Sequence, residues 1–172
     1  MQRLNMGKKD KEIESDESLE MIKKTYKELE KKYNLPNFKE LDEDFDISKV
    51  DCTIETLLRD IRKTMFGKFA SVLNFIELLL NPSNGSMFHM YMVKGITLEE
   101  KNILNKLFEK LGYIEIESFS LDINYDEKNE ALFIKKSFRE WQEMKPEVDK
   151  TIKSLKENWK KVSDKKEKSY FG

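Results

Sequence analysis

The stretch MFGKFASVLNFIELLL, residues 65–80, is the most apolar window of the chain, with 11 hydrophobic side chains among 16 residues. Apolar residues upstream of it keep a helical spacing, so the pattern predicts one long helix over about 53–80. A helix that is apolar on nearly all sides belongs in the centre of a bundle. Lys68, Asn74 and Glu77 interrupt the window, and it is too short to span a membrane. The predicted inward stripe is Ile54, Leu58, Ile61, Met65, Phe69, Val72, Ile76 and Leu79.

The amino-acid composition limits the fold classes that the chain can adopt. The chain has 172 residues, which fits one domain, and 38% of them are charged against about 25% in an average globular domain. Six Gly and three Pro are few for a loop-rich β-sandwich, and nineteen aromatic residues (eleven Phe, six Tyr, two Trp) are many for a disordered chain. We therefore expect an all-α, single-domain bundle of five or six helices around a buried central helix.

The boundaries of this domain follow from the polar ends of the chain. Residues 1–14 and 163–172 are predicted to be flexible, and residues 15–162 to form the helical domain. The sequence Asn34-Leu35-Pro36-Asn37 is expected to end the first helix, because proline cannot continue a helix and disfavours helical geometry in the residue before it.

Three helices are predicted in the second half of the chain. A capping box at Thr97 and Glu100 begins one that Gly112 closes, with Ile103, Leu104, Leu107, Phe108 and Leu111 directed inward. Asp126 caps a second helix, which runs to about Met144. Its inward residues are Leu132, Ile134, Phe138 and Trp141. Pro146 fits the first turn of the last helix.

The segment 113–125 allows two interpretations. Phe119, Leu121 and Ile123 alternate as in a strand, and a short two-stranded element of 87–93 with 115–125 is the alternative fold for this region. Ile116, Phe119 and Ile123 also fit one face of a helix, which is the interpretation we favour.

The chain offers weak signals for catalysis or metal binding. Met87, His89, Met90 and Met92 could hold Cu(I), but thioethers and aromatic rings more often fill gaps in a core. Cys52 with His89 lacks a third residue to orient the pair. Neither of the two glycine-rich motifs that bind nucleotide phosphates, GxxxxGK followed by Ser or Thr and GxGxxG, occurs in the sequence. We predict no catalytic residue, no metal site and no cofactor.

The compartment follows from the cysteine content. Cys52 is the single cysteine, so an internal disulfide cannot form, and a reducing compartment is expected. The N-terminal residues lack the apolar core of a secretory signal. The sequence therefore predicts a cytoplasmic protein without a membrane partner.

Two groups of basic residues are candidate binding sites. Arg59 and Arg62 lie one helical turn apart and could form an anion pocket with Arg139, although an ion pair between Glu55 and Arg59 is the simpler interpretation. Four lysines of the last helix could bind nucleic acid or an acidic partner. These are Lys153, Lys156, Lys160 and Lys161.

The sequence gives less information about function than about fold. Basic and acidic residues nearly cancel, 32 against 33, so net charge gives no reason to expect nucleic acid. The acidic segment 40–46 and the basic last helix are candidate contact surfaces. We expect a non-enzymatic protein–protein interaction or assembly module, with a protein partner or a homodimer. Association with nucleic acid through the lysines is the alternative.

Several short patterns together resemble a group of small uncharacterised helical proteins found in archaea. The matching features span roughly residues 35–160 and contain no catalytic signature. The resemblance implies a helical fold and an archaeal-type cytosolic context, and it implies no activity. The residues that carry it are Leu35, Pro36, Phe38, Leu41, Phe45 and Ile47; Leu58, Arg59, Ile61 and Arg62; Phe133, Ile134, Phe138 and Trp141; and Trp159.

Overall fold

A computed structural model describes the backbone of residues 6–50 and 54–170 and the side chains of residues 19–50 and 55–160. Within these residues the chain is all-α and contains no strand, which confirms the predicted helical bundle. Short 3-10 turns connect several of the helices. The six α-helices are α1 (Met6–Tyr33), α2 (Phe38–Phe45), α3 (Leu57–Leu80), α4 (Met87–Met92), α5 (Leu98–Ile123) and α6 (Glu127–Tyr170).

Contacts along the chain group the helices into two compact units. Unit 1 contains the residues up to Met65 together with Leu121–Phe138, and therefore α1, α2 and the first part of α3 and of α6. Unit 2 contains Phe66–Ser120 and the residues from Arg139 onward, and therefore α4, most of α5 and the remainder of α3 and α6.

In unit 1, α1 ends where the sequence predicts. Asn34 adopts the left-handed conformation with φ of 54°, and the N–H of Leu35 donates to the carbonyl of Glu30, which closes the helix. The chain then turns so that the buried Tyr26 hydroxyl donates to the carbonyl of Pro36 at 2.7 Å. Asn37 caps α2 by accepting a hydrogen bond from the N–H of Lys39.

One face of α3 is buried along its whole length. Leu57, Leu58, Ile61 and Met65 belong to the core of unit 1, and Phe69, Leu73, Ile76 and Leu79 to the core of unit 2. The residues predicted for the inward stripe from Leu58 to Leu79 are therefore buried, except that Val72 is half-buried, and Leu57 and Leu73 are buried in addition. The side chain of Ile54 lies outside the described residues.

The expectation that Gly112 closes a helix is wrong. Helix α5 continues through Gly112 to Ile123. The strand alternative for 87–93 and 115–125 is wrong, because residues 87–92 lie in α4 and residues 115–123 in α5. A glycine inside a helix costs about 1 kcal/mol relative to alanine. Burial of the residues before and after Gly112 offsets this cost, because one buried stripe of the helix continues past the glycine. That stripe is Leu104, Leu107, Leu111, Ile114 and Ser118.

The expected break near Met144 is also absent. Helix α6 continues through Pro146, which lies inside it rather than in the first turn of a new helix. Proline in a helix interior removes one hydrogen bond and crowds the preceding turn. The buried stripe of Trp141 and Met144 before it continues as Thr151 and Leu155 after it, so packing holds both sides in one helix.

Other boundaries and orientations differ from expectation. Helix α1 begins at Met6 and α6 ends at Tyr170, so helical structure extends beyond 15–162, while the flexibility of residues 1–14 and 163–172 stays a prediction. The prediction that Phe108 and Leu132 face inward is wrong, since their side chains are 37% and 54% exposed. Cys52 lies outside the described residues.

Among the described residues, no helix combines the length and the hydropathy that crossing a membrane requires.

Candidate functional site

The two arginines of α3 converge on one buried carboxylate in unit 1. The Arg62 side chain is fully buried, its Nε donates to Glu130 Oε2 at 2.7 Å, and its Nη2 donates to Asp122 Oδ1. Arg59 lies nearby, with its Nε 4.0 Å from Glu130 Oε1 and its guanidinium 4.2 Å from the ring centroid of Tyr125. Arg139 is exposed and belongs to unit 2. The structure therefore brings Arg59 and Arg62 together around Glu130.

Burial and charge act in opposite directions on these carboxyl groups. Burial raises the pKa of Glu130, since an ionised carboxylate loses its hydration, even though Arg62 and Arg59 favour the charged form. The hydrogen bond from Arg62 lowers the pKa of the more exposed Asp122. The guanidinium of Arg62 is thus occupied by two carboxylates of the same chain.

Neither Asp122 nor Glu130 is among the site residues predicted from the sequence. A usable signal for Glu130 is present, because it lies on the same helical stripe as the buried Ile134, Ser137 and Trp141. A charge on an otherwise inward-facing stripe indicates a buried partner of opposite charge. The sequence cannot show that this partner is Arg62, because the two residues are far apart in the chain.

Several acidic side chains of the segment 40–46 make local hydrogen bonds or ion pairs at α2 and the turn that follows it. Asp44 is buried, and Asp42 Oδ1 accepts a hydrogen bond from the N–H of Ser48 at 2.7 Å. Asp46 forms an ion pair with Lys49. Lys39 Nζ lies 3.9 Å from Glu43 Oε1, one helical turn away. The segment is therefore a capped and partly neutralised helix, and its acidic contact surface is smaller than its composition indicates.

The four lysines predicted as a binding group have different surroundings in α6. Lys153 pairs with Asp149 at 2.6 Å, whereas Lys156 and Lys160 line an apolar groove in unit 2. The side chain of Lys161 lies outside the described residues. The structure thus places two of the four beside a hydrophobic surface.

We name this feature the α4–α6 groove. Its volume is about 360 Å³, and among the residues whose side chains are described, Lys156 and Lys160 are the charged ones that line it. The rings of Phe88 and Trp159 pack across it with centroids 4.9 Å apart. Its residues are Phe75, Phe88, Met92, Ile152, Leu155, Lys156, Trp159 and Lys160.

Helix α4 separates the potential soft-metal ligands. Met92 is buried at the groove, whereas Met87 and Met90 are 70% and 51% exposed. His89 Nδ1 accepts a hydrogen bond from the N–H of Ser86 and lies 3.0 Å from its hydroxyl, which caps the helix. Within the described residues, no cluster of three His, Cys, Asp or Glu side chains could hold a metal ion.

A second apolar surface lies on α5 in unit 2. Tyr113, Ile116 and Phe119 are 55%, 68% and 56% exposed. Gly112 lies beside them, and apart from the backbone of its own helix a Cβ atom at this position would meet no described atom within 4 Å. We name the surface formed by Phe108, Gly112, Tyr113, Ile116 and Phe119 the α5 face.

Comparison with known proteins finds no matching family, and neither a curated protein nor a solved structure is similar to the chain.

Proposed function

We propose that the protein is a non-enzymatic assembly module that forms a homodimer through the α5 face. The observation that carries this proposal is the exposure of Tyr113, Ile116 and Phe119 on adjacent turns of one helix. Contiguous apolar surface of this kind on a highly charged protein marks an interaction site, because water contact with it is unfavourable.

A second copy of α5 fits this face in an antiparallel orientation. With the two-fold axis at Gly112, Ile116 packs against the partner's Phe108, and Phe108 against the partner's Ile116. The open surface at Gly112 lets the two backbones approach closely. Closed two-fold assembly is the commonest arrangement of soluble oligomers, which is consistent with this pairing.

Charges beside the face are complementary in the same arrangement. Lys106 and Glu117 lie on one flank of α5, at nearly equal distances before and after Gly112. An antiparallel pair therefore sets Lys106 opposite the partner's Glu117 on both sides of the axis. Such rim charges contribute little to affinity, but they favour this orientation over others.

Light scattering after size exclusion tests the homodimer. We expect the wild-type chain to have the mass of a dimer and Ile116→Glu to have the mass of a monomer at the same concentration, with unchanged helical circular dichroism. Leu132→Glu is the matched control, because Leu132 is also an exposed apolar residue but lies in unit 1. A monomeric wild-type chain, or a dimer that survives Ile116→Glu, would contradict the proposal.

The alternative function, association with nucleic acid through the α6 lysines, has weaker support. Lys153 has an acidic partner, and Lys156 and Lys160 border a groove whose other residues are apolar and would not contact phosphates. Salt-dependent binding of DNA or RNA would favour this alternative, because phosphate contacts release counterions.

Cellular context is part of the proposal. A cytoplasmic location is supported by the single cysteine, which is typical of proteins in reducing compartments. An archaeal type of protein is supported only by the resemblance of residues 35–160. Cell fractionation of the tagged full-length chain tests the location.

A further inference from the structure

The turn between α3 and α4 contains the dipeptide Asn84-Gly85, and Asn84 is the one asparagine of the chain that precedes a glycine. The side-chain amide of an asparagine can be attacked by the backbone nitrogen of the next residue. A side chain on that residue hinders the attack, and glycine has none. We propose that Asn84 is a site of spontaneous modification, at which Gly85 and water convert the asparagine into aspartate and isoaspartate. The site is separate from the α5 face, so this proposal does not depend on the homodimer.

The reaction consumes water and releases ammonia. The Gly85 nitrogen loses its proton to solvent base and forms a bond to Asn84 Cγ, and the bond from Cγ to Nδ2 breaks as ammonia leaves. Water then opens the resulting cyclic imide at either of its carbonyl groups. Opening at Cγ gives aspartate, whereas opening at the main-chain carbonyl gives isoaspartate, in which the main chain continues through Cγ.

The turn can open without disturbing a core. Asn84 is exposed and is the last residue of the 3-10 turn Pro82–Asn84, none of whose residues is buried. The N–H of Gly85 donates to the carbonyl of Pro82 at 3.1 Å, and this hydrogen bond must break before the nitrogen attacks. Local opening of a surface turn costs less free energy than global unfolding. The folded protein is therefore the species that reacts.

Most other asparagines lack this combination of sequence and surroundings. Asn81 precedes Pro82, whose nitrogen carries no proton to lose. Asn124 is exposed in the turn between α5 and α6, but it precedes Tyr125, whose side chain hinders the attack. Five more are held by the backbone hydrogen bonds of helices, namely Asn74, Asn102, Asn105, Asn129 and Asn158.

Isoaspartate at residue 84 should loosen the start of α4. Gly85 packs so closely on this helix that a Cβ atom added to it would lie 2.9 Å from the Cβ of His89. The His89 side chain accepts a hydrogen bond from the N–H of Ser86 and caps the helix. The additional main-chain carbon of isoaspartate displaces Gly85 and Ser86 from His89, and the cap is lost. The modification therefore also changes the conformation of α4, irreversibly.

Mass spectrometry of the aged full-length chain tests the modification. The protein is kept in mildly alkaline buffer at physiological temperature, and the peptides that contain Asn84 and Asn124 are compared over time. We expect Asn84 to yield both aspartate and isoaspartate, at least about tenfold faster than Asn124, which is the control within the same chain. Formation of aspartate alone would indicate direct hydrolysis of the amide. That result, or equal rates at the two asparagines, would overturn the proposal.

Variants show where and in which state the chain reacts. Asn84→Gln should prevent the conversion, because its longer side chain closes a less favourable ring; a conversion that persists in this peptide would assign the site to Asn81 instead. Arg62→Ala should leave the rate at Asn84 unchanged, because the turn opens locally. Acceleration in parallel with the lost stability would show that only the unfolded chain reacts, contrary to the proposal. Ile116→Glu should also leave the rate unchanged, so that this test stands whether or not the homodimer forms.

Hydrogen exchange tests the effect on α4. In the isoaspartate fraction we expect faster exchange of the α4 amides than in the unmodified chain, with exchange in α5 unchanged. His89→Ala should accelerate exchange in α4 in the same way, because it removes the cap without modification. Asn84→Asp is the matched control, since it carries the new charge without the additional main-chain carbon. Unchanged exchange in the isoaspartate fraction, or equal acceleration in Asn84→Asp, would refute the release of α4 by isoaspartate.

Discussion

A buried ion pair between two residues lies in the interior of unit 1. Arg62 and Glu130 are both fully buried, and each charge is stabilised by the other across a hydrogen bond of 2.7 Å. Within the part of the chain that the structure describes, neither Glu130 Oε1 nor Arg59 Nε has a hydrogen-bond partner, so Arg59 compensates the carboxylate through its charge. A buried pair of this kind costs much when one partner is removed and little when both are replaced.

Arg62→Ala should therefore destabilise the protein by about 3–5 kcal/mol, because it leaves Glu130 buried without its hydrogen-bonded partner. Urea denaturation followed by circular dichroism measures the free energy of unfolding. Arg59→Ala is the control and should cost clearly less, since Arg59 is 31% exposed and makes no hydrogen bond to Glu130. Combining Arg62→Met with Glu130→Leu should recover much of the loss, and a fully additive double variant would refute this account.

Among the helices, α5 shows that burial of apolar side chains outweighs the tendency of a glycine to end a helix. Its buried stripe continues past Gly112 and keeps one helix where glycine would favour an end. The same glycine lies on the exposed side, where its missing side chain leaves an open surface. One position thus weakens the helix and, in the proposed homodimer, allows close approach of two helices.

Gly112→Ala should separate these two effects. In the monomer the alanine should stabilise the fold by up to about 1 kcal/mol, because the open surface accommodates a Cβ and alanine favours the helix. In the proposed homodimer the same methyl group should weaken association. Thermal unfolding at low protein concentration and light scattering at high concentration measure the two separately. A variant that is less stable at low concentration would contradict the assignment of Gly112 to an open helix surface.

At the scale of the whole molecule, carboxylates in both units link stability to acid. Hydrogen bonds from Tyr33 and Lys32 lower the pKa of Glu127 in unit 1, and a hydrogen bond from Ser154 lowers the pKa of Glu100 in unit 2. Each folded-state pKa lies below its unfolded value. The stabilising contribution is therefore complete above the unfolded pKa and is lost as pH falls through the folded one.

We expect the contribution of Glu127 and Glu100 to the free energy of unfolding to fall as pH is lowered from neutral to below about 4, where unfolded carboxylates titrate. Glu127→Gln should flatten this dependence, with a loss at neutral pH within the roughly 0–1 kcal/mol of an exposed ion pair. Urea titrations at a series of pH values give the slopes. Glu99→Gln is a control at an exposed glutamate in the first turn of α5, and an equal flattening in this variant would refute the role of Glu127.

The helical class, most of the buried stripe of α3 and the turn at residues 34–37 follow from the amino-acid sequence alone. These features depend on local periodicity and on residues with restricted backbone angles, which neighbouring positions reveal. The tertiary structure alone decided that α5 and α6 continue through Gly112 and Pro146, because burial on both sides outweighs the local cost. It also decided that Arg62 meets Glu130 and that Lys156 and Lys160 border a groove, since those neighbours come from distant parts of the chain.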